Sequence, residues 1–156
     1  MALTKSGIQA PAFTLPDMEG QKRSLHDLLA QGPILLAFFK VSCPTCQYTL
    51  PFLQRLAGSK VSVIGVSQDV RRKTEEFNRT YALLFPALLD SADGDYPVSN
   101  AYGITYVPSL FLIEPDGQIS LTSVGFAKVD LEEIARRAGP VSLFHRDEKI
   151  EAFRAG

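Results

Sequence analysis

The sequence contains only two cysteines and two histidines among its 156 residues. Small secreted domains that depend on disulfides have more cysteines at wider spacing, so this class is excluded. The two cysteines, Cys43 and Cys46, lie three positions apart. In a reducing compartment so close a pair indicates redox or metal chemistry, and the functional site is therefore expected around it.

The sequence also lacks an excess of either charge and a long apolar run. Its 16 basic and 17 acidic residues give a formal net charge of −1, so we expect no nucleic-acid partner. The longest apolar run, Ile34 to Phe39, is far shorter than the roughly 20 residues that span a bilayer. Residues 1–7 hold no apolar stretch typical of a signal peptide. We therefore expect a cytoplasmic protein without a membrane span, or a periplasmic one if a leader has been removed.

Strand-like and helix-like segments alternate along the chain, which predicts an α/β domain with a mixed sheet. The run Ile34 to Phe39 is apolar on both alternating faces, as in a central strand covered on both sides. Short segments on either side of the turn at 17–20 predict an N-terminal β-hairpin. We predict further strands at 61–66, 109–113 and 118–124, and a short or edge strand at 83–89 because that segment contains a proline. Helices are predicted at 26–30, 44–57, 70–81 and 130–138, and a polar loop at 90–101.

The length fits one domain, which we place at 1–140, followed by a C-terminal tail at 141–156. Within the tail, Ile150 and Phe153 would share one side of a helix over 146–153. Such a helix would pack on the domain or meet a partner, and the sequence leaves both open.

The cysteine pair forms the run Cys43-Pro44-Thr45-Cys46, where the predicted central strand gives way to a helix. The free amides and partial positive charge of a helix N-terminus stabilise a thiolate, the attacking species, at Cys43. The three-residue spacing brings the Cys46 sulfur within bonding reach of the first. Pro44 suits the first helical position, where its missing N–H costs little. Lys40 is a candidate for lowering the pKa of the Cys43 thiol by its charge, or a solvated lysine at a strand end.

Two other roles for the cysteines compete with redox chemistry. Structural zinc takes four Cys or His ligands, and the only histidines, His26 and His145, have no matching spacing. Buried cysteines are often inert core residues. A Cys-x-x-Cys pair at a strand–helix junction favours the redox interpretation over both.

From Ile34 to about Phe126 the chain resembles the thioredoxin-like redoxins, most closely those of the TlpA and ResA type, which are related to the AhpC/TSA peroxiredoxin-like group. The motifs that carry the resemblance are Cys43-Pro44-Thr45-Cys46, Pro51, Tyr102-Gly103-Ile104, Val107-Pro108 and Glu114-Pro115-Asp116-Gly117. The N-terminal hairpin matches the leading segment of that group. The resemblance implies a thioredoxin fold, a central mixed β-sheet flanked by helices, with an N-terminal β-hairpin extension.

The resemblance also implies a thiol–disulfide oxidoreductase with Cys43 as nucleophile and Cys46 as resolving thiol. Its only redox group would be the Cys43–Cys46 disulfide, with no cofactor and no metal. Pro108 would be a cis-proline facing the cysteines, and the Val107 backbone would pair with an incoming peptide. The substrate-binding residues implied are Val107, Pro108, Pro44 and Thr45. The partners would be a disulfide-containing protein or peptide and an unidentified reductant.

The sequence departs from the family pattern around the cysteines. Ser42 stands where a tryptophan is usual, and the chain has no tryptophan at all. Ala37 replaces the buried aspartate of thioredoxin, and Thr49 replaces a glutamate of the ResA type. No acid at these positions is therefore available to take the proton of Cys46. Tyr106 replaces a small residue two before the cis-proline, which would reshape or cover the groove.

Two rival functions stay open at this point. A peroxiredoxin-like peroxidase shares the hairpin and layout, but that branch carries Thr or Ser three residues before its reactive cysteine, and Lys40 holds that position before Cys43. A non-catalytic thioredoxin-fold binding module would also fit the tail and Tyr106. In such a module the disulfide would form but exchange slowly.

Overall fold

The computed structural model describes residues 7–156, so most of the segment searched for a signal peptide lies outside the described residues. In chain order its strands are β1 (Ile8–Gln9), β2 (Thr14–Pro16), β3 (Lys22–Ser24), β4 (Ile34–Phe39), β5 (Ser62–Ser67), β6 (Ala87–Leu89), β7 (Ser109–Ile113), β8 (Gln118–Val124), β9 (Phe126–Ala127) and β10 (Phe153–Arg154). The helices are α1 (Leu25–Leu29), α2 (Pro44–Leu53), α3 (Arg71–Thr80), α4 (Pro97–Ala101) and α5 (Lys128–Ala138). Short 3₁₀ turns cover Gln54–Leu56 and Ala92–Gly94.

Six strands form the main sheet in the order β1-β8-β7-β4-β5-β6. The central strand β4 pairs in parallel with β5 and antiparallel with β7. All six of its residues are buried, which confirms the prediction of a central strand covered on both sides. The fold is the α/β thioredoxin fold with a mixed sheet, and β2 and β3 form the expected hairpin beside it.

Each face of the sheet has its own hydrophobic core, because alternate residues of β4 point to opposite faces. Leu35, Ala37 and Phe39 pack with α2, α5 and Phe77 of α3. Ile34, Leu36 and Phe38 pack with the hairpin, α1 and α4. Dense packing on both faces holds the carboxyl end of β4, where the cysteines follow, in a fixed position.

One of the predicted loops is wrong in part. The segment 90–101, predicted as a polar loop, contains the helix α4. Its first amides are capped from a distance: the Asp90 carboxylate accepts hydrogen bonds from the Val98 N–H at 3.1 Å and the Ser99 N–H at 2.6 Å. The strand predicted within 83–89 is short and lies at the sheet edge, as its proline indicates, with 87–89 as its paired residues.

The helix predicted over 146–153 does not form: the tail has a turn at 146–147 and no helix, and only its strand β10 is regular. Arg55 holds the tail by donating to both carboxylate oxygens of Glu148 and to the Leu143 carbonyl, each at 2.7 Å. Leu143 is buried and the Phe144 ring lies 5.1 Å from that of Phe52. These contacts give the tail hydrogen-bonding and packing partners in the domain, so it packs on the domain without forming a helix. None of the helices between residues 7 and 156 is both long and apolar enough to cross a bilayer.

Candidate active site

Cys43 lies at the N-terminus of α2, as its sequence position predicts. It is the N-cap residue, with extended backbone angles, and Pro44 occupies the first helical position. The Cys46 N–H donates a hydrogen bond to the Cys43 sulfur at 3.1 Å. Both cysteines are free thiols. This amide and the positive end of the helix would lie next to the negative charge of a thiolate at Cys43.

The two thiols have opposite environments. Cys43 is half-buried, whereas Cys46 is fully buried. Burial raises the pKa of the Cys46 thiol well above its usual range, and the neighbouring Cys43 sulfur adds to the rise. Cys43 is thus the sulfur that a substrate can reach, and Cys46 is a protonated thiol held behind it.

The register of β4 and β7 brings the cysteines to the cis-proline. Phe38 near the end of β4 pairs with Ser109 at the start of β7, so the residues beyond each strand end meet. The Val107–Pro108 peptide bond is cis, as the resemblance implied. The Cys43 thiol donates to the Val107 carbonyl at a sulfur–oxygen distance of 3.4 Å. Pro108 is buried beneath this contact.

Asp69 is the acidic group of this site that sequence reasoning missed. It follows β5, which is parallel to β4, so both carboxyl ends lie at the same sheet edge. Its carboxylate accepts the Val41 N–H at 2.8 Å and adds to the rise in the pKa of Cys46. The strand order was the one signal that pointed to it. Thr49, by contrast, is buried and donates its hydroxyl to the Thr45 carbonyl at 2.7 Å.

Lys40 contributes its backbone to the cysteine loop: its carbonyl accepts the Cys43 N–H at 3.3 Å. Its side chain is exposed and lines a polar pocket of about 220 Å³ that also includes Gln68, Tyr96 and Val107. Its effect on the Cys43 thiol stays a prediction. In the part of the chain that the structure describes, no group of three or more His, Cys, Asp or Glu residues is placed to hold a metal ion.

The end of the tail reaches the cysteine motif, which the sequence did not indicate. The Thr45 hydroxyl donates to the Ala155 carbonyl at 2.6 Å. Gly156 lies so close to Val107 that a Cβ on it would collide with the Val107 carbonyl. Of the predicted substrate-binding residues, Thr45 and Val107 are therefore in contact with the tail, Pro108 is buried and Pro44 is exposed.

The sequence profile described as the AhpC/TSA family matches residues 6–122. The chain belongs to the AhpC/TSA family. Within it, the chain is 32% identical over 129 residues to the thiol-disulfide oxidoreductase ResA of Halalkalibacterium halodurans, a match covering 80% of this chain and 71% of that protein. ResA of Geobacillus thermodenitrificans is 29% identical over 134 residues, covering 81% and 74%.

A solved structure confirms the fold of this AhpC/TSA member. The thioredoxin domain of a thiol-disulfide oxidoreductase from Bacteroides vulgatus superposes with a TM-score of 0.75 at 23% identity, covering 85% of this chain and 96% of that one. Together with the ResA relatives, the site makes this chain a ResA-type redoxin, an oxidoreductase that exchanges thiols and disulfides. The resemblance seen in the sequence is confirmed.

Proposed function

We propose that this redoxin exchanges disulfides with protein or peptide substrates through Cys43 as nucleophile and Cys46 as resolving thiol. The observation that carries the assignment is the contrast between the two sulfurs. Cys43 is accessible at a helix N-terminus and accepts an amide N–H at 3.1 Å, while Cys46 is fully buried. Only an accessible thiolate can attack a substrate, and only a nearby second thiol can release it.

The reaction follows from this arrangement. The Cys43 thiolate attacks one sulfur of the substrate disulfide, which forms a mixed disulfide and expels the other substrate sulfur as a thiolate that takes a proton from solvent. Cys46 then gives up its proton to solvent and attacks the Cys43 sulfur. The Cys43–Cys46 bond forms, the bond between Cys43 and the substrate breaks, and the second substrate sulfur leaves as a thiolate that takes a proton from solvent. Two electrons have then passed to the substrate. An external dithiol restores the enzyme by the same steps in reverse.

The substrate groove we propose runs beside Val107 and Pro108 and over Pro44 and Thr45. Its position is supported by the Cys43 sulfur lying 3.4 Å from the Val107 carbonyl, since a peptide bonded to Cys43 must pass that backbone. The chemistry needs no cofactor beyond the two thiols and their disulfide. A cytoplasmic location stays a prediction, which fractionation of producing cells tests.

Replacing each cysteine separately tests these roles. Cys43→Ser should lower the rate of insulin disulfide reduction by about a thousandfold or more, because the attacking sulfur is gone. Cys46→Ser should accumulate a mixed disulfide between Cys43 and the substrate, visible by mass spectrometry without reductant. Wild-type turnover by Cys43→Ser, or a mixed disulfide on Cys46, would contradict the assignment.

A rate comparison separates this function from its rivals. Reduced wild-type protein is mixed with a peptide disulfide and, separately, with hydrogen peroxide, and the loss of the Cys43 thiol is followed. We expect much faster reaction with the disulfide. Faster reaction with peroxide would indicate a peroxidase, and slow reaction with both would indicate a binding module.

A further inference from the structure

The segment 152–156 lies across the cysteine motif and the cis-proline loop. Its strand β10 pairs antiparallel with β9, with Phe153 opposite Ala127 and Arg154 opposite Phe126. The Lys128 N–H donates to the Ala152 carbonyl at 3.0 Å. The pairing directs the end of the segment towards the cysteines.

Two side chains of α2 hold the segment there. The Thr45 hydroxyl donates to the Ala155 carbonyl at 2.6 Å, from the position directly before Cys46. The Arg154 guanidinium lies 4.5 Å from the centre of the Tyr48 ring, within the range of a cation–π contact. The segment is thus fixed to the same helix that carries both thiols.

Glycines permit the close approach of the backbones. Gly125 has a φ of +76°, and a Cβ there would lie 2.6 Å from the Arg154 carbonyl. Gly156 packs directly on Val107, with no room for a side chain. Any larger residue at 156 would push the segment off the Val107 backbone, so the two glycines fit the docked position.

The docked segment and a bound peptide compete for the same backbone. The Cys43 sulfur lies 3.4 Å from the Val107 carbonyl, and Gly156 already covers that carbonyl. Building on the substrate groove proposed above, we propose that the segment 152–156 is a built-in competitor of the protein substrate. It occupies the groove in the free enzyme and is displaced when a protein disulfide binds, which also frees the Thr45 hydroxyl for the substrate.

The contacts suit displacement of this segment alone. Phe153 is 59% exposed and its neighbours Ala152, Ala155 and Gly156 are also exposed. Upstream, the buried Leu143 and the Arg55–Glu148 pair keep the rest of the tail in place. A segment that is held by a few weak contacts next to a firmly packed region can open while the rest of the protein stays folded. Small disulfides can reach the half-buried Cys43 without that opening.

Arg154→Glu tests the competition, with Arg146→Glu as the matched control. Both variants make the same charge change in the tail, but Arg146 is exposed and lies outside the segment. Arg154→Glu removes the Tyr48 contact, so kcat/KM for insulin should rise about two- to fivefold as the open fraction grows. Reduction of hydroxyethyl disulfide should stay at the wild-type rate in both variants.

The ratio of the insulin rate to the hydroxyethyl disulfide rate separates an effect of the segment from an effect on the chemistry of Cys43. An unchanged or lower insulin rate in Arg154→Glu, with the hydroxyethyl disulfide rate preserved, would overturn the competition and leave the segment as part of the groove wall. Failure of the wild type with both substrates would instead contradict the role of Cys43.

A trapped complex gives a direct readout. In Cys46→Ser joined to a peptide by a mixed disulfide, the Lys128 amide should exchange its hydrogen faster than in the free variant, because its acceptor at Ala152 has left. The amide of Thr74 in α3, which donates to the Val70 carbonyl at 3.1 Å, serves as the unaffected reference. Unchanged protection of Lys128 in the trapped complex would overturn the proposal.

Discussion

Cys43 and Cys46 are of one residue type, yet their surroundings divide the reaction between them. The helix N-terminus and the Cys46 amide stabilise negative charge at Cys43, whereas burial disfavours it at Cys46. Charge on the first sulfur is needed before the substrate arrives, and charge on the second only afterwards. The step that depends on Cys46 is therefore the one that pH should control.

We predict that release of substrate from the mixed disulfide accelerates about tenfold for each pH unit from roughly pH 6 to 9. The raised pKa of Cys46 leaves it protonated throughout this range, so the reactive thiolate fraction grows in proportion to hydroxide. Acid-quenched single turnovers with insulin, analysed by mass spectrometry, measure the step. A profile that bends towards a plateau between pH 8 and pH 9 would show that Cys46 ionises near its ordinary value.

A substitution of Asp69 tests the cause of this pH dependence. Its negative charge contributes to the raised pKa of Cys46, so Asp69→Asn should move the release profile to lower pH. Asp93→Asn changes the same charge at an exposed position and should leave the profile in place. Equal pH profiles of substrate release for the two variants would show that Asp69 has no effect on the resolving step.

At the scale of elements, the tail is integral to the packing of α2. Leu143 is buried and its carbonyl accepts a hydrogen bond from Arg55 at 2.7 Å. Leu143→Ala should lower the free energy of unfolding by about 2–5 kcal/mol, as for other buried leucines. Leu84→Ala, at a leucine that is 85% exposed, should change it by less than about 0.5 kcal/mol. Urea unfolding curves measure both, and equal curves would mean that the tail is not part of the core.

Elements with local signals could be predicted from the sequence, and elements with distant partners could not. The strand β4 follows from a run of consecutive apolar residues, and the start of α2 follows from Pro44. Both were predicted correctly. The helix α4 depends on Asp90, which caps it from outside the helix. The non-helical tail depends on Arg55, 93 positions before its partner Glu148. A pattern of neighbouring residues contains neither contact.

The candidate site also combines residues with a local sequence signal and residues that only distant contacts bring there. The cysteine pair has a spacing typical of redox chemistry, so the sequence was enough to propose it. Asp69 and Gly156 reach the site only through strand order and tail docking, and no spacing to Cys43 marks them. Sequence reasoning finds the reactive atoms because chemistry restricts residue type, and it misses the groups that fold geometry brings to them.

At the scale of the whole molecule, the sheet fixes which residues become neighbours. The parallel pairing of β4 with β5 and its antiparallel pairing with β7 bring three chain segments to one edge. The cysteines, Asp69 and the Val107–Pro108 bond come from those segments. The tail reaches the proposed groove by pairing with β9, next to the same edge. The active site is therefore a consequence of strand order rather than of any one loop.

Ion pairs in the hairpin, in α5 and in the tail make stability of the whole molecule sensitive to acid. Arg55 lowers the pKa of Glu148 to about 2, and Arg136 with Arg137 lowers that of Glu133 to about 2. Hydrogen bonding to Arg23 lowers the pKa of Asp17 as well. A carboxyl group whose pKa falls on folding stabilises the folded state above its unfolded pKa, and that contribution is lost as pH decreases through the folded one.

We therefore predict that the urea midpoint of unfolding is constant above about pH 5 and falls steadily from there to about pH 2. Each of these pairs has at least one partly exposed side chain, so the loss should be smaller in about 0.5 M salt, which screens them at both pH values. Glu148→Gln should unfold with a flatter pH dependence than the wild type, because one of the contributing carboxyl groups is missing. A midpoint that is the same at pH 3 and pH 6 would show that these ion pairs contribute nothing to folding.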